Sequence, residues 1–313
     1  MNVTRYGLSM RMASLAAVLV AAVAVPLAGQ QVFRGGTDVV LLTITVLDSS
    51  NRLVAGLDQE DFQIYEDGIK QDPSNFSRQA QPIALSLVID TSTSMDLKLP
   101  IAHEAASGFI RRLGLKDVAQ VIDFDSQAKI LQTFTSDRVA LERAIRATDA
   151  GGSTSLYNAI YTSLSELKRI LADSGPDLRR QAIVLLSDGE DTSSIVPYDD
   201  VLEAAKRSEV VVYAIGIVDK EAVKGGGGWN EADFVLKSLS KETGGRAYTV
   251  VDIKQLPQVY SQIADELANQ YTLAYVSKNS KRDGAWRKIN VQISRGGMTA
   301  RTKAGYFGPK GTQ

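Results

Sequence analysis

Three short runs of apolar residues limit most strongly how this chain can fold. They are residues 83–89, 182–186 and 210–217. Runs of this length suit β-strands that are buried on both faces, as the strands of a parallel sheet are. Stretches with helical spacing of apolar residues occur between and after them, at residues 156–171 and 256–267. Strands that alternate with helices predict right-handed crossovers and an α/β fold, with an open, mostly parallel sheet covered by helices on both faces.

The two ends of the chain show a different pattern, typical of half-buried antiparallel strands. Apolar side chains occupy every second position at residues 40–46 and again at residues 289–293. A period of two residues is typical of a strand with one buried face. We therefore predict a β module at residues 30–79, an α/β domain at residues 80–270, and strands at residues 271–313 that pair with the first module. The α/β domain would then be inserted in a small β domain.

A targeting signal precedes these segments. Arg5 and Arg11 are followed by an uncharged run, rich in Ala, Val and Leu, at residues 12–28. Positive residues, an apolar core and small residues at its end predict a secretory signal peptide at residues 1–29. The candidate cleavage positions are Ala22-Val23-Ala24 and Ala28-Gly29. The apolar run has about 17 residues, the lower limit for a membrane-spanning helix, so an uncleaved anchor is the alternative.

Composition excludes several classes of function. Lys and Arg number 35 against 36 Asp and Glu, so the chain has no excess of positive charge to bind nucleic acid or anionic membranes. It has no cysteine, which excludes a Cys nucleophile, a disulfide framework and a thiolate zinc site. The only histidine is His103, and a Ser-His-Asp triad would need it. It lies in a stretch with helical spacing, and we interpret it as an ordinary helix residue.

Side chains with oxygen atoms collect at the predicted carboxyl edge of the sheet. Asp90, Ser92 and Ser94 follow the first buried strand at alternate positions, so they point the same way if the segment is extended. Asp188 follows another buried strand, and Thr154 lies in a loop with two glycines before a predicted helix. Ligand sites of open α/β sheets lie at this edge. These five side chains are therefore the predicted ligands of a hard divalent cation such as Mg²⁺.

Such a site predicts protein binding without a catalysed reaction. Two carboxylates and three neutral hydroxyls leave net positive charge on a divalent cation and room for an outside ligand. An Asp or Glu carboxylate of a partner protein would supply the missing negative oxygen. We expect this carboxylate to be the ligand that the site recognises.

Two simpler interpretations of neighbouring residues compete with this one. Ser94 or Asp96 could cap a helix predicted at residues 97–113, because Ser and Asp are common N-cap residues. Asp123 and Asp125 could form a carboxylate pair for acid–base catalysis. We interpret that pair instead as a strand end followed by a solvated turn.

The candidate ligands also carry a family resemblance. The motif Asp90-Thr-Ser92-Thr-Ser94, then Thr154, then Asp188 in Leu-Leu-Ser-Asp-Gly, resembles the metal-ion-dependent adhesion site of von Willebrand factor A domains, and the match spans residues 82–268. The resemblance implies a Rossmann-like sheet, hydroxyl ligands to Mg²⁺ or Mn²⁺, and aspartates that act directly or through water. The sequence does not separate these cations from Ca²⁺. Ser153 is an alternative third hydroxyl, since the family often has Gly-Gly-Thr at this point.

The flanking segments extend the resemblance to nearly the whole mature chain. Residues 62–68, 271–275 and 305–307 resemble the VWFA-related proteins of acidobacteria and related bacteria. The predicted signal peptide and the predicted metal site together indicate a periplasmic or extracellular module for adhesion or assembly, with no stable membrane span once the signal is cleaved. Two alternatives stay open. One is a structural envelope protein whose metal stabilises the fold, and the other is a metal-dependent hydrolase that uses a metal-bound water.

Overall fold

The computed structural model describes residues 39–78, 81–173, 179–218 and 231–311. The predicted signal peptide at residues 1–29 lies outside the described residues, as does the start of the predicted β module. All the described residues belong to one compact unit. Within these four segments, no helix is both long enough and apolar enough to cross a membrane.

Strands and helices are numbered here in chain order over the described residues. The strands are β1 (Val39–Asp48), β2 (Phe62–Glu66), β3 (Ile69–Gln71), β4 (Pro73–Ser77), β5 (Ile83–Asp90), β6 (Val118–Phe124), β7 (Ala128–Thr135), β8 (Arg180–Ser187), β9 (Val210–Ile217), β10 (Ala247–Val250), β11 (Tyr271–Val276), β12 (Trp286–Ile293), β13 (Met298–Arg301) and β14 (Gly305–Phe307). The α-helices are α1 (Leu99–Arg111), α2 (Arg138–Arg146), α3 (Leu156–Asp173), α4 (Tyr198–Arg207), α5 (Glu231–Thr243) and α6 (Leu256–Ala268). They form three sheets and the helical layers that cover the largest one.

The central sheet has six strands in the order β10-β9-β8-β5-β6-β7. All neighbours are parallel except β7, which runs antiparallel to β6. Helices α1, α2 and α6 contribute to the core on one face, and α3, α4 and α5 contribute to the core on the other. The predicted α/β fold with a mostly parallel sheet is therefore confirmed.

Strand β5 lies at the centre of this sheet, and all eight of its residues are buried. Leu85, Leu87 and Ile89 face one core, whereas Ala84 and Val88 face the other. Burial on both faces requires apolar side chains at successive positions, which explains the run seen in the sequence. Its neighbours β6 and β8 place their carboxyl ends beside Asp90.

The two smaller sheets are antiparallel and contain strands from both ends of the chain. In one, β1 pairs with β11, which places Leu42 opposite Leu273. In the other, β2 pairs with β12, which places Ile64 opposite Val291. The sheets share one hydrophobic core and form a β-sandwich. Pairing between the two terminal segments is thus confirmed, as the fold class predicted.

A buried polar cluster joins the sandwich to helix α6. The Glu266 carboxylate accepts hydrogen bonds from Thr45 Oγ1 at 3.1 Å and from Tyr213 OH at 2.6 Å, and it pairs with the guanidinium of Arg301. Arg180, the first residue of β8, donates to the backbone oxygen of Leu267 at 2.9 Å. These contacts place the sandwich at the amino ends of the parallel strands, opposite the edge where Asp90 lies.

Gly245 lies where the chain leaves helix α5 and passes very close to strand β9. A Cβ at this position would overlap the backbone oxygen of Val212, which is fixed within the sheet. Gly245→Ala is therefore expected to lower the free energy of unfolding by about 1–3 kcal/mol, measured by urea denaturation. Gly296→Ala is the matched control, because a Cβ there meets nothing within 4 Å. Equal losses in both variants would contradict this explanation.

Candidate metal centre

The loop after β5 is fixed by hydrogen bonds to the loop that precedes α3. Gly151 N donates to Thr91 O at 2.7 Å, and the Thr93 hydroxyl donates to Gly152 O at 2.9 Å. The two loops therefore lie together at the carboxyl edge of the sheet. Asp90, the last residue of β5, is held at the base of this loop.

Asp90 is fully buried, and both of its carboxylate oxygens accept hydrogen bonds. Ser92 N donates to Oδ1 at 2.9 Å, and Ser187 Oγ donates to Oδ2 at 2.6 Å. Burial raises the pKa of the Asp90 carboxyl above its usual range; these hydrogen bonds oppose the rise, and the nearby charge of Asp188 adds to it. Ionised Asp90 is thus costly to bury, and a cation placed beside it would offset that cost.

Three of the predicted ligands form a continuous series of oxygen atoms. Ser92 Oγ lies 3.1 Å from Ser94 Oγ, and Ser94 Oγ donates to Asp188 Oδ1 at 2.7 Å. In an octahedral Mg²⁺ site with metal–oxygen distances near 2.1 Å, neighbouring ligand oxygens lie about 3 Å apart. The two observed spacings lie on either side of that value. The spacing and chemistry of these donors therefore fit a hard divalent cation.

Thr154 is buried, and its backbone is fixed by two hydrogen bonds with Thr192, at 3.0 and 2.8 Å. Its hydroxyl faces the loop that carries Asp188, since a Cβ added to Gly189 would lie 3.6 Å from Thr154 Oγ1. The Ser153 hydroxyl instead donates to Ser126 Oγ at 3.1 Å. This geometry favours Thr154 over Ser153 as the third hydroxyl ligand.

Sequence reasoning missed one charged residue at this centre. The Lys98 ammonium pairs with Asp188 Oδ2, and the side chain of Asp188 is only 1% exposed. Lys98 is the N-cap residue of α1, four residues after Ser94. The sequence does show a lysine about one helical turn after the predicted ligand Ser94. Where its side chain points depends on the residue at which α1 begins, and the sequence did not fix that residue.

The competing interpretation of Ser94 and Asp96 as helix caps is wrong. Helix α1 begins at Leu99 with Lys98 at the N-cap, and no side chain caps it. Ser94 bonds to Asp188 instead.

Asp123 and Asp125 agree with the interpretation as a strand end followed by a turn. Asp123 is the penultimate residue of β6 and is buried. Burial raises the pKa of its carboxyl. Asp125 does lie in the turn after β6, where its Oδ2 is 3.1 Å from Lys129 Nζ.

Within the described residues, no group of three or more His, Cys, Asp or Glu side chains is placed to hold a metal ion. The centre at the edge of β5 has only two such residues, Asp90 and Asp188. Its other donors would be the hydroxyls of Ser92, Ser94 and Thr154.

Comparisons with known proteins agree with this architecture. The von Willebrand factor type A domain model matches residues 85–262. A UPF0353 protein of Mycolicibacterium paratuberculosis is 27% identical over 200 residues, which are 58% of this chain and 60% of the relative. An uncharacterized protein of Borreliella burgdorferi is 27% identical over 229 residues, which are 66% of this chain and 60% of the relative. The chain thus spans less than two thirds of the length of either relative.

A solved structure also shares the fold. Proximal thread matrix protein 1 from the mussel byssus, with a zinc-occupied MIDAS motif, has a TM-score of 0.50 and 14% identity, covering 64% of this chain and 50% of that one. At this identity the likeness concerns the fold alone. The family match covers more than half of the chain, and the six-stranded sheet lies within the same region. Domains of this type often bind proteins through a metal-ion-dependent adhesion site. This chain belongs to the von Willebrand factor type A domain family.

Proposed function

We propose that this protein is an exported, metal-dependent module that binds an acidic residue of a partner protein, in adhesion or assembly. The observation that carries the proposal is the series of oxygens from Ser92 through Ser94 to Asp188. It lies at the carboxyl edge of the sheet, and the sandwich lies at the opposite edge. The neighbouring sandwich therefore does not obstruct a partner that approaches this centre.

The residues have distinct proposed roles. Ser92, Ser94 and Thr154 would contribute neutral hydroxyl oxygens, and Asp90 and Asp188 would contribute negative charge. When bound, Mg²⁺ or Mn²⁺, or Ca²⁺ as a further candidate, would offer a coordination position to a carboxylate oxygen of the partner. Support for a metal also comes from the fold relative whose name records a zinc-occupied motif.

We propose no catalysed reaction at this centre. The only histidine, His103, lies on α1 with its Nε2 2.6 Å from Thr148 Oγ1, and burial lowers its pKa. Asp123 is fixed within β6, where its Oδ1 is buried without a hydrogen-bond partner. Neither residue makes a hydrogen bond to Asp90 or Asp188 that could orient it as a general base.

We also propose that the protein belongs to the bacterial VWFA-related group and acts in the periplasm or outside the cell. This assignment depends on the sequence of the predicted signal peptide and of the flanking strands β2, β11 and β14. The structural-role and hydrolase alternatives predict different results in the next experiment.

The test is capture of partner proteins from the source cell's envelope by the full chain, with Mg²⁺ or with EDTA. We expect capture with Mg²⁺ and at least about a tenfold loss in EDTA and in Asp90→Asn, because each removes a charge that the complex needs. Asp123→Asn is the matched control, since it changes a buried carboxylate on the neighbouring strand. This variant should capture the same partner proteins as the natural protein, and in the same amount.

Capture that is unaffected by EDTA and by Asp90→Asn would contradict metal-bridged binding and favour a structural role. Release of phosphate or peptide fragments from model substrates, lost in Ser92→Ala, would favour the hydrolase alternative.

A further inference from the structure

Lys98 and Asp188, a candidate ligand, form an ion pair at the candidate metal centre. The ammonium contacts Asp188 Oδ2, and Ser94 Oγ donates to Oδ1 of the same carboxylate. Both oxygens of Asp188 are thus satisfied by groups of the chain itself. The side chain of Asp188 is 1% exposed, whereas that of Lys98 is 33% exposed.

This pair has a clear electrostatic reason. Asp90 and Asp188 are two buried carboxylates at one site, and their negative charges repel each other. A buried carboxylate without a counter-charge is strongly destabilising. The Lys98 ammonium provides one positive charge at this site within the described chain. It therefore compensates a carboxylate that a divalent cation would also compensate.

A divalent cation at Asp188 Oδ1 and the ammonium at Oδ2 would lie on one carboxylate and repel each other strongly. Like charges a few ångströms apart repel most strongly where water is excluded. Lysine has a flexible stem of four carbons, and its strongly hydrated ammonium gains solvation when it moves outward. Because Lys98 precedes α1 and is one-third exposed, its side chain can leave without moving the helix.

We propose that Lys98 is an internal cation that holds Asp188 in the metal-free protein and is exchanged for the divalent cation on binding. This inference rests on the proposed metal-dependent function, and it adds a mechanism by which metal binding is regulated. Each binding event must break the Lys98–Asp188 pair, so the pair weakens metal affinity. It also prevents the two carboxylates from destabilising the empty centre.

The test is a calorimetric titration of the full chain with Mn²⁺ alone, which measures the affinity for the metal. Lys98→Met is expected to bind Mn²⁺ roughly ten- to a hundredfold more tightly, the range that one charge-assisted hydrogen bond can contribute. Lys98→Gln should shift affinity in the same direction, and it provides a second variant that keeps a polar side chain. Lys129→Met is the matched control, because Lys129 pairs with Asp125 and not with Asp188. It should bind as the natural protein does, within about twofold.

A second readout is the melting temperature. In EDTA, Lys98→Met should melt below the natural protein, because Asp188 loses its counter-charge. Saturating Mn²⁺ should remove that difference. A role in folding alone would lower the melting temperature in both conditions.

The outcomes separate the two proposals. If the natural protein binds Mn²⁺ and Lys98→Met binds equally or more weakly, the exchange is overturned and the metal centre stands. If neither the natural protein nor Asp90→Asn binds Mn²⁺, the metal centre itself is overturned, and the exchange with it.

Discussion

Arg287→Met is expected to lower the free energy of unfolding by about 3–5 kcal/mol, measured by urea denaturation. Arg287 lies on β12 inside the sandwich, with its side chain 2% exposed and Nη1 3.6 Å from Oε1 of Glu66, which is 1% exposed. The same nitrogen donates to the backbone oxygen of Asn279 at 2.9 Å and to Tyr306 OH at 3.2 Å. Methionine fills similar space but removes the cation beside the Glu66 carboxylate and the donor to the backbone oxygen of Asn279.

A double-mutant cycle separates the charge from the packing. Glu66→Leu alone should also destabilise, because it leaves the guanidinium buried and unpaired. The double variant Glu66→Leu/Arg287→Met removes both charges and should recover part of the summed loss. A loss below about 1 kcal/mol in Arg287→Met would show that this pair contributes little to the sandwich.

Asp90→Asn is expected to abolish the stabilisation of the protein by Mg²⁺. At a free Mg²⁺ concentration 100 times the Kd, a single site stabilises the folded state by about 2.7 kcal/mol. Asparagine has nearly the same shape and can keep the contacts with Ser92 and Ser187, so the folded loop should survive. Thermal denaturation with and without Mg²⁺ measures the difference. A full Mg²⁺ response in the variant would show that Asp90 is not part of the centre.

The same variant should behave in the opposite way in EDTA. Burial raises the pKa of Asp90 in the folded state above its unfolded value of 3.8. Its contribution to stability is therefore greatest below pH 3.8 and is lost as pH rises through the raised folded value. At pH 7 without metal, Asp90→Asn should be at least as stable as the natural protein. A large loss in EDTA would instead give the carboxylate a structural role.

The sequence predicted β5, β8 and β9 of the central sheet because burial on both faces leaves a run of apolar residues. Strands β3 and β4 were not predicted, since Ile69 in β3 is exposed and most of β4 is polar. Such edge strands are fixed by pairing with their neighbours, which a local pattern does not show.

The candidate ligands were predictable because each lies at or just after the end of a strand, or just before a helix. The Lys98–Asp188 pair was not, because its residues are 90 positions apart and meet only when β5 and β8 are adjacent. Thr154 was chosen from the sequence with Ser153 as the alternative, and the contact of Ser153 with Ser126 lies in a different loop that the sequence does not show.

The pairing of both chain ends in one sandwich also sets an order for folding. Thr45 and Glu266 are 221 residues apart in the chain and hydrogen bond directly. Closing a flexible loop of that length costs about 5 kcal/mol in chain entropy. Once the central sheet has formed, Ile83 and Arg180 pair at its amino edge, close to where both terminal segments leave it. The folded central domain thus shortens the length of chain that must close to bring the two terminal segments together. We therefore expect the sandwich to form after the central sheet, and to open first when the central sheet is destabilised.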